Sequence, residues 1–291
     1  MGGPATLVGR RTGAGLVEPE EGQRRSRGRR LRVARSTTYE PGLAALPQPV
    51  PPSSWLLPEP QHADEDGVVG VGADLAPGTL VDAYLRGIFP WPHPDVPLPW
   101  FSPDPRGVLF PDELHLSRSL TRRLRSSGWV TTVDQAFREV VAGCAEDRGD
   151  GHGSWITSPM ARAYTRLHEL GWAHSLEVWD GPRLVGGLYG VQVGAVFTGE
   201  SMFHRETDAS KVALAETVAR LWEAGGHLMD VQLTTPHLRR AGARDLPRAA
   251  FLEILQAGRH RPVRLTTGPR PVGHLATWRA GTDRPPAWTR P

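Results

Sequence analysis

The chain is poor in cysteine, in lysine and in long apolar runs, and each shortage closes off a class of protein. A single cysteine, Cys144, cannot form an internal disulfide or a thiolate zinc cluster. No apolar stretch approaches the roughly 18 residues that a membrane-spanning helix needs. The opening residues carry Gly, Arg and Glu but no apolar leader segment, so no secretory signal is expected. The histidines form no HxH, HxxxH or HExxH pattern, so no metal site is expected. Neither GxGxxG nor GxxxxGK[ST] occurs to cradle a nucleotide, and no GxSxG elbow presents a serine. Cys144, set among Val140, Val141 and Ala145 in a helical pattern, reads as core rather than nucleophile. Lys211 is the one lysine beside 33 arginines, a bias of codon usage that carries no function by itself.

What is present begins with an uneven charge. Residues 1–35 and residues 259–291 each carry a net +6, so with the whole chain at +3 the residues between stand at −9. The basic character belongs to two tails around an acidic body. Residues 1–38 read as a disordered basic tail and 259–291 as a second one, since neither shows apolar periodicity. Residues 39–110 read as a small N-terminal domain ending in a loop rich in Pro and aromatics, and 111–258 as the main domain. Within the first, the spacing predicts a helix over 77–87 opened by Pro77. The seven prolines of 89–107 predict no regular structure there.

From 113 onward helices and strands alternate. Helices are expected at 115–125, 134–144, 157–170, 209–224, 235–241 and 247–257. Asp134 suits the N-cap of the second, and Asp208 or Ser210 that of the fourth. Strands are expected at 129–133, 174–179, 183–192, 194–200 and 228–233, with a hairpin turn at Asp180-Gly181. The sum is an α+β (α/β) domain with a mostly antiparallel sheet flanked by helices.

Three groups of polar residues stand out. Asp230 and Gln232 lie two apart on a short strand and so share a face, with Met229, Val231 and Leu233 turned to the core. Such a pair can orient an amine and relay a proton, or simply face solvent at a strand end. Glu200 ends an apolar strand beside Phe197, Met202 and Phe203, where a carboxylate can grip a cationic group. The helix at 115–125 carries Arg118, Arg122, Arg123 and Arg125 with no acid, either a phosphate clamp or a solvated face.

The wording of the motifs goes further. FPW (89–91), WFSPDPRGVLFP (100–111), LHLSRS (114–119), GCAEDR (143–148), SWIT (154–157), AYTRLHELGWAHSLEVW (163–179), LVGGLYGVQVGAVFTGESMF (184–203), ASK (209–211) and MDVQL (229–233) resemble, in order and spacing, the leucyl/phenylalanyl-tRNA–protein transferases. The resemblance covers about 65–258. It implies a bacterial cytoplasmic enzyme that moves Leu or Phe from aminoacyl-tRNA to the α-amino group of proteins beginning with Arg or Lys, marking them for N-end rule degradation. The implied fold is a small N-terminal domain followed by a core like the GNAT acyltransferases. The implied roles are catalysis for Asp230, Gln232 and Glu200, and stacking of the terminal adenosine for Trp91 and Trp155. Leu188, Phe197, Met202 and Tyr164 would line the pocket for the Leu or Phe side chain, and the Arg118–Arg125 cluster would contact tRNA. No metal or cofactor is implied, because the acyl group arrives activated, and a monomer is the default expectation. The chain departs from the family's wording at Leu188, where Met is common, at His204, where Ser is usual, and at Ser154, where Thr often stands.

Two other readings compete. An acyl-CoA-dependent N-acetyltransferase of related fold should carry a Q/RxxGxG/A loop before a helix, and none occurs. A non-catalytic RNA-binding protein would depend on the Arg-rich tails.

Overall fold

The computed structural model describes residues 6–11, 42–93, 96–146 and 154–280. In chain order the elements are β1 (Gly9–Arg10), β2 (Trp55–Leu56), β3 (Val68–Val71), α1 (Pro77–Leu85), β4 (Phe89–Pro90), β5 (Pro99–Phe101), β6 (Arg106–Leu109), α2 (Arg118–Ser126), β7 (Val130–Val133), α3 (Phe137–Ala145), α4 (Ser158–Glu169), β8 (Ala173–Asp180), β9 (Arg183–Val193), β10 (Val196–His204), α5 (Ala209–Glu223), β11 (Leu228–Gln232), α6 (Pro236–Arg240), β12 (Arg244–Leu246), α7 (Arg248–Gly258) and β13 (Arg270–Pro271). They build an α+β fold around an eight-stranded sheet of order β12-β6-β11-β10-β9-β8-β7-β13. Its pairs are antiparallel except for β10 with β11. A separate three-stranded sheet, β3-β5-β4, precedes it.

Helices cover both faces. α1, α3, α4 and α7 bury Tyr84, Val140, Tyr164 and Phe251 on one side, and α2 and α5 bury Leu120, Leu124 and Val212–Leu221 on the other. Adjacent glycines in β9 permit this close cover. A Cβ on Gly186 would lie 2.6 Å from the Cβ of Ala209 in α5, and one on Gly187 would lie 2.9 Å from Val140 in α3.

Several expectations need correction. The Pro-rich stretch 89–107 contains β4, β5 and the start of β6, because its prolines sit at strand ends or on short pairs where a missing N–H costs little. Asp134 does not cap α3, which starts at Phe137. Asp134 instead has φ +61 and accepts the Ser175 N–H at 3.0 Å. Asp208 precedes α5 with φ +74 and makes no cap bond. The C-terminal tail is ordered through residue 280: β13 pairs with β7, and Val272 and Leu275 are buried in the core that includes Leu120 and Leu124 of α2. Residues 6–11 are ordered as well, through β1 paired with β2. The rest of both tails, 1–5, 12–41 and 281–291, lies outside the described residues.

The C-terminal order has a specific source. Arg220 and Glu216 of α5 are fully buried and paired at 2.8 Å. Arg220 donates to the Thr266 and Gly268 carbonyls, and Glu216 takes His274 Nε2 at 2.7 Å. Buried charges must find partners, and the tail supplies them.

Candidate active site

β10 and β11 run parallel for only three pairs, Val196–Leu228, Phe197–Met229 and Thr198–Asp230. Each strand is then bulged, β10 between Gly199 and Ser201 against β9, and β11 between Asp230 and Gln232 against β6. A bulge bends a strand and adds twist, so the two part company and leave a wedge at their C-terminal ends. The wedge opens into a cavity of ≈ 290 Å³. Leu188, Met202, Leu214, Met229 and Val231 form its apolar wall, Trp91 and Trp155 stand on it, and Glu200 and Gln232 are among its polar groups, with Ser201 and Thr235. Met229 and Val231 are therefore cavity lining as well as core, and Leu233, expected inside, is 42% exposed at the cavity.

Glu200 is buried at the base of the wedge. Oε1 accepts Tyr84 Oη at 2.8 Å and Gln232 Nε2 at 3.3 Å, and Oε2 accepts Tyr164 Oη at 2.8 Å. The two tyrosine hydroxyls are 2.7 Å apart. Burial, and to a lesser degree the nearby Asp230 charge, push the Glu200 pKa up to about 7, against the lowering pull of the tyrosine hydrogen bonds and Arg106. Burial followed by the Glu200 charge raises both tyrosines well above 10, so they stay protonated donors. A carboxyl so placed can take up or release a proton near neutral pH.

Asp230 is buried more deeply and is held on every side. Arg106 grips it with both forks, Nε to Oδ1 at 2.8 Å and Nη2 to Oδ2 at 2.7 Å. Thr198 Oγ1 donates at 3.1 Å, and the backbone N–H of Gln232 at 2.9 Å. Arg106 itself is 1% exposed, lies between the Phe89 and Phe251 rings and also donates to the Gly87 carbonyl. Gln232 adopts φ +64, a left-handed conformation that costs a non-glycine residue of order 1–3 kcal/mol. The bond to Asp230 holds it there and aims its amide at Glu200.

The structure thus brings Glu200, Gln232, Trp91, Trp155, Leu188 and Met202 to one cavity, with Asp230 just behind. Tyr164 does not line the cavity; it supports Glu200 from the far side. Phe197 is also absent from the lining and is buried in the core against the α5 face. Arg118, Arg122, Arg123 and Arg125 are all exposed on α2, apart from the cavity. Arg106, Tyr84 and Leu214 escaped the sequence reading. An arginine inside the apolar run RGVLF was a usable signal for the first; Tyr84 and Leu214 sit in ordinary helical spacing and look like core.

Asp134, His168 and His174 lie within 4.8 Å of one another, a set of the kind that can ligate a metal. Their geometry is that of a hydrogen-bonded core: His174 Nδ1 meets Asp134 at 2.8 Å, and His168 Nδ1 meets the Ala173 carbonyl at 2.9 Å. Among the described residues, no helix is long and apolar enough to cross a membrane.

The site is thus a splayed sheet whose wedge sets a buried carboxyl, Glu200, and the Gln232 amide beside an apolar cavity. Comparison places it more narrowly. The sequence profile of the leucyl/phenylalanyl-tRNA protein transferases matches residues 108–256, and that of their N-terminal domain matches 73–104. A leucyl/phenylalanyl-tRNA–protein transferase from Stutzerimonas stutzeri is 53% identical over 212 residues, 73% of this chain and 92% of the relative. Proteins of the same name from Anaeromyxobacter dehalogenans (50% identical; 72% of this chain, 91% of the relative) and Shewanella baltica (47%; 72% and 90%) are similarly close. A GCN5-related N-acetyltransferase from Kribbella flavida aligns over 58% of this chain and 60% of its own, at 12% identity and a TM-score of 0.31, too slight a likeness to argue from. The chain belongs to the leucyl/phenylalanyl-tRNA–protein transferase family and is an aminoacyltransferase.

Proposed function

We propose that this chain transfers leucine or phenylalanine from aminoacyl-tRNA to the α-amino group of proteins beginning with Arg or Lys. The product would be marked for N-end rule degradation in the bacterial cytoplasm, and the enzyme would act as a monomer without metal or cofactor. The observation that carries the reading is the pairing of an apolar cavity with a buried carboxyl, Glu200, hydrogen-bonded to the half-buried carboxamide of Gln232.

The reaction is aminolysis of an ester. The acceptor nitrogen bonds to the ester carbonyl carbon, the bond from that carbon to the ribose oxygen breaks, and a proton moves from nitrogen to the departing oxygen. Positioning supplies much of the acceleration. Gln232 donates to Glu200 and leaves its carbonyl oxygen for the incoming amine. Glu200, with its pKa near 7, takes the amine proton and returns it to the ribose oxygen. Asp230, with both oxygens on Arg106, fixes the Gln232 backbone and is a positioning residue rather than a base. Leu188, Met202 and Leu214 receive the Leu or Phe side chain, with Phe197 and Tyr164 behind the lining. Trp91 and Trp155 offer stacking surfaces to the terminal adenosine, worth about 1–3 kcal/mol per base. Arg118, Arg122, Arg123 and Arg125 take the tRNA backbone.

The direct test incubates the protein with labelled Phe-tRNA and an Arg-starting peptide. Label should enter the wild-type reaction's peptide and fall at least tenfold with Gln232→Ala. Transfer from acetyl-CoA, with none from Phe-tRNA, would instead make the chain an N-acetyltransferase.

A further inference from the structure

The short helix α6 divides two recesses. Thr235 and Leu238 face the cavity, whereas His237, Arg240 and Ala241 face a second groove of ≈ 90 Å³. Its opposite wall is Leu116, Ser117 and Leu120 at the start of α2, and its floor includes Leu214, the residue it shares with the cavity. Lys211, in the first turn of α5, completes the rim.

The charge on this rim is one-sided. Burial first, then the charges of Lys211, Arg240 and His204, hold the His237 pKa below its ordinary value. Asp208 is the carboxylate that opposes them, and it is already bound to Lys211 Nζ at 2.6 Å. Arg240 meets no acid among the groove's lining residues, and the Lys211 ammonium keeps donors beyond the one given to Asp208, so the rim favours an anion. The apolar floor and cationic rim of the groove suit a sugar-phosphate backbone laid along it. At the α2 end the line continues, since Arg118, Arg122 and Arg125 share one exposed face of that helix.

Resting on the transferase reading above, we propose that this groove holds the phosphodiester backbone of the donor tRNA's single-stranded 3′ end, immediately before the aminoacylated adenosine. Lys211 and Arg240 contact the phosphates, and neutral His237 adds a hydrogen bond. The contact reads backbone, not base, and links the cavity to the α2 arginines.

The test compares two donors, phenylalanyl-adenosine, which has no phosphate, and a phenylalanyl-CpCpA oligonucleotide, with an Arg-starting peptide as acceptor. The readout is the ratio of kcat/KM for the longer donor over the shorter. Arg240→Gln, on an exposed position, and Lys211→Met should each lower that ratio about tenfold, the worth of one charge-assisted hydrogen bond. Each should also flatten the dependence of log(kcat/KM) on log[salt] by about 0.7 for the longer donor. An unchanged ratio in both variants would overturn the groove assignment alone. So would a rise confined to the KM of the acceptor peptide, which would make the groove a seat for an acidic peptide segment. Transfer from neither donor by the wild type would sink the transferase reading, and the groove assignment with it.

Discussion

At the scale of single residues, two buried carboxylates that both bond Gln232 are given opposite duties by their donors. Asp230 faces a full positive charge delivered through two parallel bonds, and Glu200 faces only hydroxyls and an amide. Glu200→Gln should therefore lower kcat by about 10²-fold, the usual worth of a positioned proton acceptor. It should also erase the inflection near pH 7 in the rate of the chemical step; a profile that keeps its inflection would mean another group titrates. The Arg106–Asp230 pair makes a contrasting prediction. Arg106→Met strands a buried charge and should cost about 3–5 kcal/mol in urea unfolding. Adding Asp230→Asn should recover part of that loss, although activity stays low. If the double variant is less stable than Arg106→Met alone, the pair is not coupled as described. Little of this was visible in the sequence. The spacing predicts Asp230 and Gln232 on one face, whereas the bulge between them turns Gln232 to the cavity with Met229 and Val231 and leaves Asp230 behind it. Neither the left-handed Gln232 nor the arginine behind Asp230 has a local signature, because both arise from a strand pairing across more than a hundred residues.

At the scale of elements, the alternation of helices and strands from α2 to α7 was legible, since each buries one periodic face against the sheet. The hairpin of β8 and β9 was legible too, from its Gly-containing turn. The segments that were misread have no period of their own. The strands β4 and β5 are held by partners rather than by propensity, and residues 259–280 by the charges of α5. Truncation after Gly258 should therefore do more than remove a tail. It uncovers Leu120, Leu124 and the outer side of α5 and leaves Glu216 and Arg220 short of partners, so a large fall in the urea midpoint is expected. A midpoint equal to that of the full chain would mean the segment is an ornament. Gly107 offers a finer probe. A Cβ there would lie 2.8 Å from the backbone of Leu233 and Thr234, which carry the chain from β11 over β6 into α6. Gly107→Ala should thus displace the cavity wall, raising the KM for aminoacyl-tRNA several-fold and lowering the thermal midpoint as the backbone yields; an unaltered KM would show that the wall is not held there.

At the scale of the whole molecule, burial sets how stability responds to pH. Glu177, like Glu200, is pushed up to about 7, chiefly by burial and with Asp134 adding to it, from an ordinary value of 4.5. Between those values the folded chain holds protons that the unfolded chain has released, so each carboxyl weakens the fold as pH rises through the interval. His227, lowered to about 4 by burial, acts in the opposite direction from about pH 4 to its ordinary 6.5. The difference between variants isolates the effect: Glu177→Gln should gain stability relative to wild type as pH is raised from about 5 to about 8. A constant difference across that range would show that Glu177 does not titrate there.

The order of the large sheet ends in two very short strands, the three residues of β12 on one side and the two of β13 on the other. A sheet's outermost backbone is a template for another chain, and short, proline-bearing margins blunt it. Pro271 removes one N–H from the β13 margin, and β12 carries Arg244 and Asp245. The two late strands thus act as selvedges. While the C-terminal part of the chain is still being synthesised, β7 presents a bare margin to any neighbour, and β13 closes it once it emerges. Chains lacking β13 should be the ones that aggregate through sheet-to-sheet pairing.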